Sequence, residues 1–308
     1  MGCGGCKSKG APPPPAVDPS EIGRDFGAAY ENGQVVQDRL IDGFRLSRAV
    51  RKDSQSPVMV KITNGHELTG LFQRMKGGDW PDDALLQKRF EREISILKHL
   101  DHPNIVTFVE ALRDEDRWFV VTEALDGRDL LDQIRDAPRL SEGAGAAMMG
   151  QLLRGLGYMH SRSICHRDVR PENVFFTAAS PDCTDIKLVG FAGARHFGVG
   201  ERLSTKVGAP FYIAPEVVRG DYDHLCDVWS AGVVAYTSFT GYPPFFADTD
   251  EGILKKVSEG KFFFNAACWR DISEVPKNLI RMCLQYDPAK RCSAQQALEL
   301  KWPGFNRP

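Results

Sequence analysis

No apolar run in the chain approaches the roughly 18–20 residues that a membrane-spanning helix needs, and no charged-then-apolar leader of the secretory type opens it. Charge of one sign is not in excess either: 39 Lys and Arg stand against 41 Asp and Glu, a net −2. A domain that binds nucleic acid usually carries a basic surplus, so that class is set aside. Eight cysteines in 308 residues are too sparse and too irregular for a disulfide framework and suit a reducing cytosol. No internal repeat is visible. What is there, 42% hydrophobic and 26% charged residues, matches an ordinary soluble globular chain with length for one large domain or two modest ones.

The first residues read as an address. In Met1-Gly2-Cys3-Gly4-Gly5-Cys6-Lys7-Ser8-Lys9, Gly2 after the initiator Met meets the requirement for N-myristoylation, although that pattern prefers Ser or Thr where Cys6 stands. One myristoyl chain holds a protein to a bilayer only marginally. Cys3 and Cys6 offer palmitoylation sites, and Lys7 and Lys9 add attraction to anionic lipid. The expectation is a lipidated protein on the cytoplasmic face of a membrane, or a cytoplasmic one if it is not lipidated. A plain tail is the alternative; Cys3 and Cys6 as half of a zinc or redox motif lack a second cysteine pair. Pro12 to Pro15 form a short polyproline spacer, and the tail is expected to span residues 1–34.

Past Val35 the pattern turns strand-like, with short apolar runs at Leu40 to Val50 and Val58 to Thr63. Leu86, Phe90, Ile94 and Leu97 then recur at helical spacing, and Trp118 to Thr122 reads as a buried strand. After Gly127 the chain is mostly helical, with a loop-rich stretch over 164–216. The expected class is α+β: a small antiparallel sheet lobe over 35–122, a hinge at 123–127 and a larger helical lobe over 128–306.

That order gives meaning to His166-Arg167-Asp168-Val169-Arg170-Pro171-Glu172-Asn173. The stretch resembles the catalytic loop of protein kinases, in which the Asp orients the substrate hydroxyl and the Asn holds a metal ion. Other landmarks follow in family order: Val58-Met59-Val60-Lys61 with Glu93, Gly208-Ala209-Pro210 through Ala214-Pro215-Glu216, Asp227-Val228-Trp229-Ser230, and Asp287-Pro288 through Arg291. Within that superfamily, Tyr212 to Val217, Gly241-Tyr242-Pro243-Pro244-Phe245 and Arg139 to Glu142 are similar to the calmodulin- and calcium-dependent kinase group. The resemblance implies a bilobal fold, ATP and Mg²⁺ as cofactors, and a protein substrate or protein partners. It also assigns positions: Lys61 on the phosphates with Glu93 as its ion-pair partner, Asp168 and Arg170 at the transferred group, and Thr122 as gatekeeper. Glu123, Ala124 and Leu125 take the adenine hinge, Asp129 lies near the ribose, and Thr205 is the activation-segment phosphosite with Arg167 as its partner. An exposed loop Thr is the other reading of Thr205. Asp248 and Asp250 with Glu259 mimic a calcium loop, but Ile253 stands where a turn Gly is needed. A helix is expected there, and no direct calcium site.

Several positions depart from the family. Gly190-Phe191-Ala192 stands where Asp-Phe-Gly is expected, leaving Asn173 as the one remaining metal ligand. Without that carboxylate the phosphate charge is poorly neutralised as the transferring group develops charge. Leu40-Ile41-Asp42-Gly43-Phe44-Arg45 keeps one of the glycines that cradle phosphates, unless the short hairpin is misaligned. Side chains two apart on a strand share a face, so if Lys61 points into the cleft Met59 does too, in place of a small roof residue. Phe175, two beyond Asn173, enlarges the floor. Met59 and Phe175 are expected to fill the adenine slot; a flexible Met59 swinging aside, or two plain core residues, is the alternative. Leu97, His166 and Phe191 are expected to stack, and Arg291 to pair with Glu216. Two functions follow: a pseudokinase serving as scaffold or allosteric partner, for which ATP and Mg²⁺ binding is unfavourable, or a serine/threonine kinase with slow transfer or altered metal dependence.

Overall fold

The computed structural model describes residues 18, 22–39, 44–64, 83–114, 117–137, 139–180, 182–198 and 200–305. The expected lipidation sites Gly2, Cys3 and Cys6, and residues 40–43 of the phosphate hairpin, lie outside the described residues.

The smaller lobe is built from β1 (Gly23–Arg24), the one-turn helix α1 (Phe26–Ala29), β2 (Tyr30–Arg39), β3 (Phe44–Arg51), β4 (Pro57–Asn64), α2 (Asp83–Leu97), β5 (Phe108–Asp114) and β6 (Arg117–Glu123). Its sheet runs β1-β5-β6-β4-β3-β2. All neighbours are antiparallel except β1, which lies parallel to β5 with Gly23 against Leu112. Because successive side chains face opposite ways, Val58 and Val60 of β4 join Phe119 and Val121 of β6 on the outer face. Phe26 and Tyr30 cover them, Phe26 stacking on Phe119 at 4.4 Å and on Tyr30 at 5.2 Å. Met59 and Lys61 take the other face, toward the cleft.

Ile22 to Tyr30 thus belong to the body, which corrects the expected tail over 1–34. A two-residue strand has no periodicity to read, and the burial there is carried by one aromatic pair at helical spacing. The hinge also begins one residue later than expected, since β6 runs through Glu123.

The larger lobe holds α3 (Leu130–Asp136), α4 (Glu142–Ser161), β7 (Ile164–Cys165), β8 (Val174–Phe176), β9 (Ile186–Leu188), β10 (Arg195–His196), α5 (Pro215–Arg219), α6 (Leu225–Thr240), α7 (Asp250–Glu259), α8 (Ala266–Trp269), α9 (Glu274–Cys283) and α10 (Ala294–Ala297). Every residue of α6 from Cys226 to Thr240 is buried, which places this helix at the lobe's centre. Gly241 ends it at φ 82°, a left-handed turn that glycine takes without a Cβ penalty. Arg291 pairs with Glu216 in full burial, Nη2 lying 3.1 Å from Oε2, and gives further hydrogen bonds to the carbonyls of Gln285 and Leu225. The calcium-loop mimic is helix α7, capped by Thr249. No helix among the described residues is long and apolar enough to cross a membrane. The architecture is α+β and bilobal, with the cleft between the lobes.

Candidate functional site

The floor of the cleft hangs from one carboxylate. Asp227, at the buried start of α6, accepts hydrogen bonds from the backbone N–H of His166 (2.8 Å) and Arg167 (2.7 Å) and from His160 Nε2 (2.9 Å). Burial pushes its carboxyl up, but these donors and the nearby imidazoles outweigh that and bring it down to about 2. Arg167 sits at φ 67°, an uncommon conformation for a side-chain-bearing residue that these bonds hold in place. His166 is wholly buried, and desolvation pushes its imidazole below the ordinary range. Its Nε2–H donates to Val189 O (3.0 Å), its Nδ1 accepts from Asp168 N–H (3.3 Å), and its edge meets the Phe191 ring at 4.9 Å. Leu97 and Phe191 line the same space from above and below. Asn173 Nδ2 donates to both Asp168 O (2.7 Å) and Asp168 Oδ2 (2.8 Å).

The roof is set by sheet register. Gln37 pairs with Leu46, Leu46 with Lys61 and Lys61 with Val120, so one row of four side chains faces down. The next row sets Met59 opposite Thr122. Lys61 Nζ lies 2.8 and 2.6 Å from the two carboxylate oxygens of Glu93 on α2. The Phe44 ring sits over the same ammonium at 5.1 Å. From the edge strand, Gln37 Nε2 reaches across the cleft to donate to Asp129 and to Glu172 O (3.4 Å). Asp129 also caps α3, and burial raises its carboxyl. Arg48 donates to the hinge carbonyls of Leu125 (3.1 Å) and Asp126 (3.0 Å).

These walls enclose a cavity of about 50 Å³. That is room for about four waters, against about 300–1,000 Å³ for an ordinary small-molecule site. Met59, 2% exposed, lines the cavity from the roof and Phe175, 0% exposed, from the floor. At Gly190, φ is 83°, and an added Cβ would lie 2.5–2.7 Å from the amide atoms of Asn173. A side chain at position 190 would therefore push on the Asn173 amide.

The remaining predicted residues are spread around this centre. Thr122 and Leu125 line the cavity. The Glu123 side chain turns out to Lys187 (2.7 Å) and the Thr107 N–H (2.6 Å). Arg170 folds onto Glu172. Thr205 is exposed, and its carbonyl accepts from the Tyr222 hydroxyl (2.6 Å). Arg167, its expected partner, donates to Gly193 O (2.6 Å) and to Tyr222 (3.2 Å). Gln37, Phe44 and Arg48 were not singled out as site residues. The spacing Phe44, Leu46 carried the one available signal, since both share a face with Lys61 across the register. Among the described residues, Cys165, Cys226 and Asp227 form the one group with metal-ligand geometry. The Asp227 oxygens there are already saturated by hydrogen bonds, and the cluster acts as an anchor.

Comparison with known proteins agrees with this architecture. The protein kinase domain family matches residues 47–303, and the chain belongs to that family. It is 40% identical over 215 residues, 70% of its length and 39% of the relative's, to calcium-dependent protein kinase 3 of Plasmodium berghei (strain Anka). Over the same length it is 39% identical to calcium-dependent protein kinase 5 of Plasmodium falciparum (isolate 3D7), covering 38% of that protein. The chain therefore spans about two fifths of the curated relatives it matches. Domains of this family act with ATP and Mg²⁺ on protein substrates.

Proposed function

We propose that this chain is a pseudokinase: a kinase-fold module that serves signalling as a scaffold or allosteric partner and does not transfer phosphate. The observation that supports the reading is the narrow cleft, a cavity of about 50 Å³ lined by Met59, Phe175 and Phe44. Gly190 supports it, because phosphoryl transfer depends on neutralising charge at the moving group and positioning alone cannot replace that. A ligand at about 100 times its dissociation constant adds about 2.7 kcal/mol of stability, so thermal unfolding with millimolar ATP, with Mg²⁺ or Mn²⁺ and without, tests it. An unchanged midpoint is expected. A metal-dependent rise, together with phosphotransfer that Asp168→Asn abolishes, would sink the reading.

The Lys61–Glu93 pair and the anchored Asp168 favour a second reading, an active or weakly active serine/threonine kinase with altered metal dependence. In that case Lys61 holds phosphates, Asn173 the metal, and Asp168 orients the hydroxyl. We also propose that Gly2, Cys3 and Cys6 carry lipid and hold the module to the cytoplasmic face of a membrane. Gly2→Ala should move the protein to the soluble fraction, and unchanged fractionation would end that proposal.

A further inference from the structure

Beneath the floor of the cleft, two sulfurs meet. Cys165 ends β7 one residue before His166, and Cys226 stands near the start of α6 one residue before Asp227. Their Sγ atoms lie 3.5 Å apart, and one thiol donates to the other. The neighbours of both cysteines are pinned, because the Asp227 carboxylate accepts from the backbone N–H groups of His166 at 2.8 Å and Arg167 at 2.7 Å. The two sulfurs are therefore kept in contact for as long as the floor is suspended. A disulfide sets its sulfurs about 2.05 Å apart, so the remaining approach is about 1.5 Å.

Access is unequal within the pair, since Cys226 is 4% exposed and Cys165 is wholly buried. Burial pushes both thiols up, which keeps them protonated and slow to react. Cys183 and Cys268 are more exposed and have other partners. The Cys183 sulfur meets the Thr177 hydroxyl at 3.6 Å, and Cys268 accepts from Arg139 and from the Tyr242 hydroxyl, each at 3.6 Å.

We propose that Cys165 and Cys226 are a modification site, at which hydrogen peroxide closes a disulfide between β7 and α6. The Cys226 sulfur attacks one peroxide oxygen and the O–O bond breaks. The hydroxide that leaves takes the Cys226 proton as water, and Cys226 becomes a sulfenic acid. The Cys165 sulfur then attacks the Cys226 sulfur, the S–O bond breaks, and the Cys165 proton departs with that oxygen as a second water. Two thiols are oxidised and one peroxide is reduced. The first step is slow, but the second needs no encounter and outruns further oxidation of Cys226. The bridge spans 61 positions and encloses the stretch from Gly190 to Glu216. It changes how firmly the floor is held, by adding a covalent tie to the one through Asp227, and leaves the outline of the cleft as it is. In a reducing compartment the dithiol is the resting form. The inference goes beyond the pseudokinase reading and does not depend on whether the cleft takes nucleotide.

Peptide mapping of the full wild-type chain tests it. The folded protein is treated with hydrogen peroxide, free thiols are blocked with N-ethylmaleimide in denaturant, and the digest is read by mass spectrometry without reduction. A cross-linked pair of peptides holding Cys165 and Cys226 should appear, and dithiothreitol should remove it. The oxidised chain should also unfold at a higher urea concentration than the reduced one. In Cys165→Ala the resolving thiol is gone, so dimedone should label Cys226 as the sulfenic acid about tenfold more than in wild type. Recovery of both wild-type cysteines as maleimide adducts, while Cys183 and Cys268 are oxidised, overturns the proposal. So does a Cys226 sulfinic acid without the cross-link. A cross-link that forms only after the chain is unfolded in urea overturns it as well, because the native contact is then not its cause.

Discussion

Floor and roof of the same cleft are held in different ways. Below, Asp227 still suspends the His166–Asp168 loop, His166 meets Phe191, and Asn173 still touches Asp168. Above, the sheet sends Met59, Phe44 and Gln37 into the space that the floor leaves open. The floor groups are tied into the core of the helical lobe, so losing one leaves buried donors without partners. The roof residues project from a sheet face, where enlarging a side chain fills space and breaks little. The two walls therefore carry different penalties for change.

The largest effect that would separate the two walls is expected from Asp227→Ala. It strands two backbone N–H groups and His160 in the core and should cost about 3–5 kcal/mol in denaturant unfolding; a loss below about 1 kcal/mol would mean the floor is not suspended there. The pH dependence has a definite sign. A carboxyl held at about 2 when folded, against an ordinary value near 3.8, adds stability that is complete above about pH 4. That contribution, about 2 kcal/mol, is lost as pH falls through 2, and the pH profile of Asp227→Asn should lack the step. Met59→Ala comes next: it should cost about 2–4 kcal/mol as a cavity forms, yet raise the unfolding midpoint with millimolar adenine or ATP where wild type shows no rise. If the variant gains no ligand response, Met59 does not close the slot. Gly190→Asp alone should cost about 1–3 kcal/mol, from the left-handed backbone and the push on Asn173, and should bring no Mg²⁺-dependent stabilisation. Smallest is Gln37→Ala, about 1–2 kcal/mol, read as faster hydrogen exchange at residues 125–129; unchanged exchange would show that the cross-cleft bond does not hold the lobes.

The fold was legible because its landmarks are local in sequence: the catalytic-loop octet, the Lys61 strand and the amphipathic spacing of Phe90, Ile94 and Leu97. The orientation of Met59 followed from period two on an uninterrupted strand. Gln37 could not be read that way. Between Val35 and Gln37 the β2–β3 register shifts, so two residues on β2 answer one on β3 and the alternation there is broken. The outer core escaped for a different reason, since Phe26 and Tyr30 flank a single helical turn and pack on residues about ninety positions away. Neither the bulge nor that distant contact leaves a local pattern.

The reach of Gln37 across the cleft has a consequence for signalling. From the edge strand of the smaller lobe its amide donates to Asp129 and to the Glu172 carbonyl of the larger one, so the two lobes are already drawn together by groups of the chain itself. A switch that waits on a metabolite has an open form to be closed; on the pseudokinase reading, this one is shut without help. The outline it shows to a binding partner should then be the same in a starved cell as in a fed one, and information would have to enter through where the molecule is and how much of it is made.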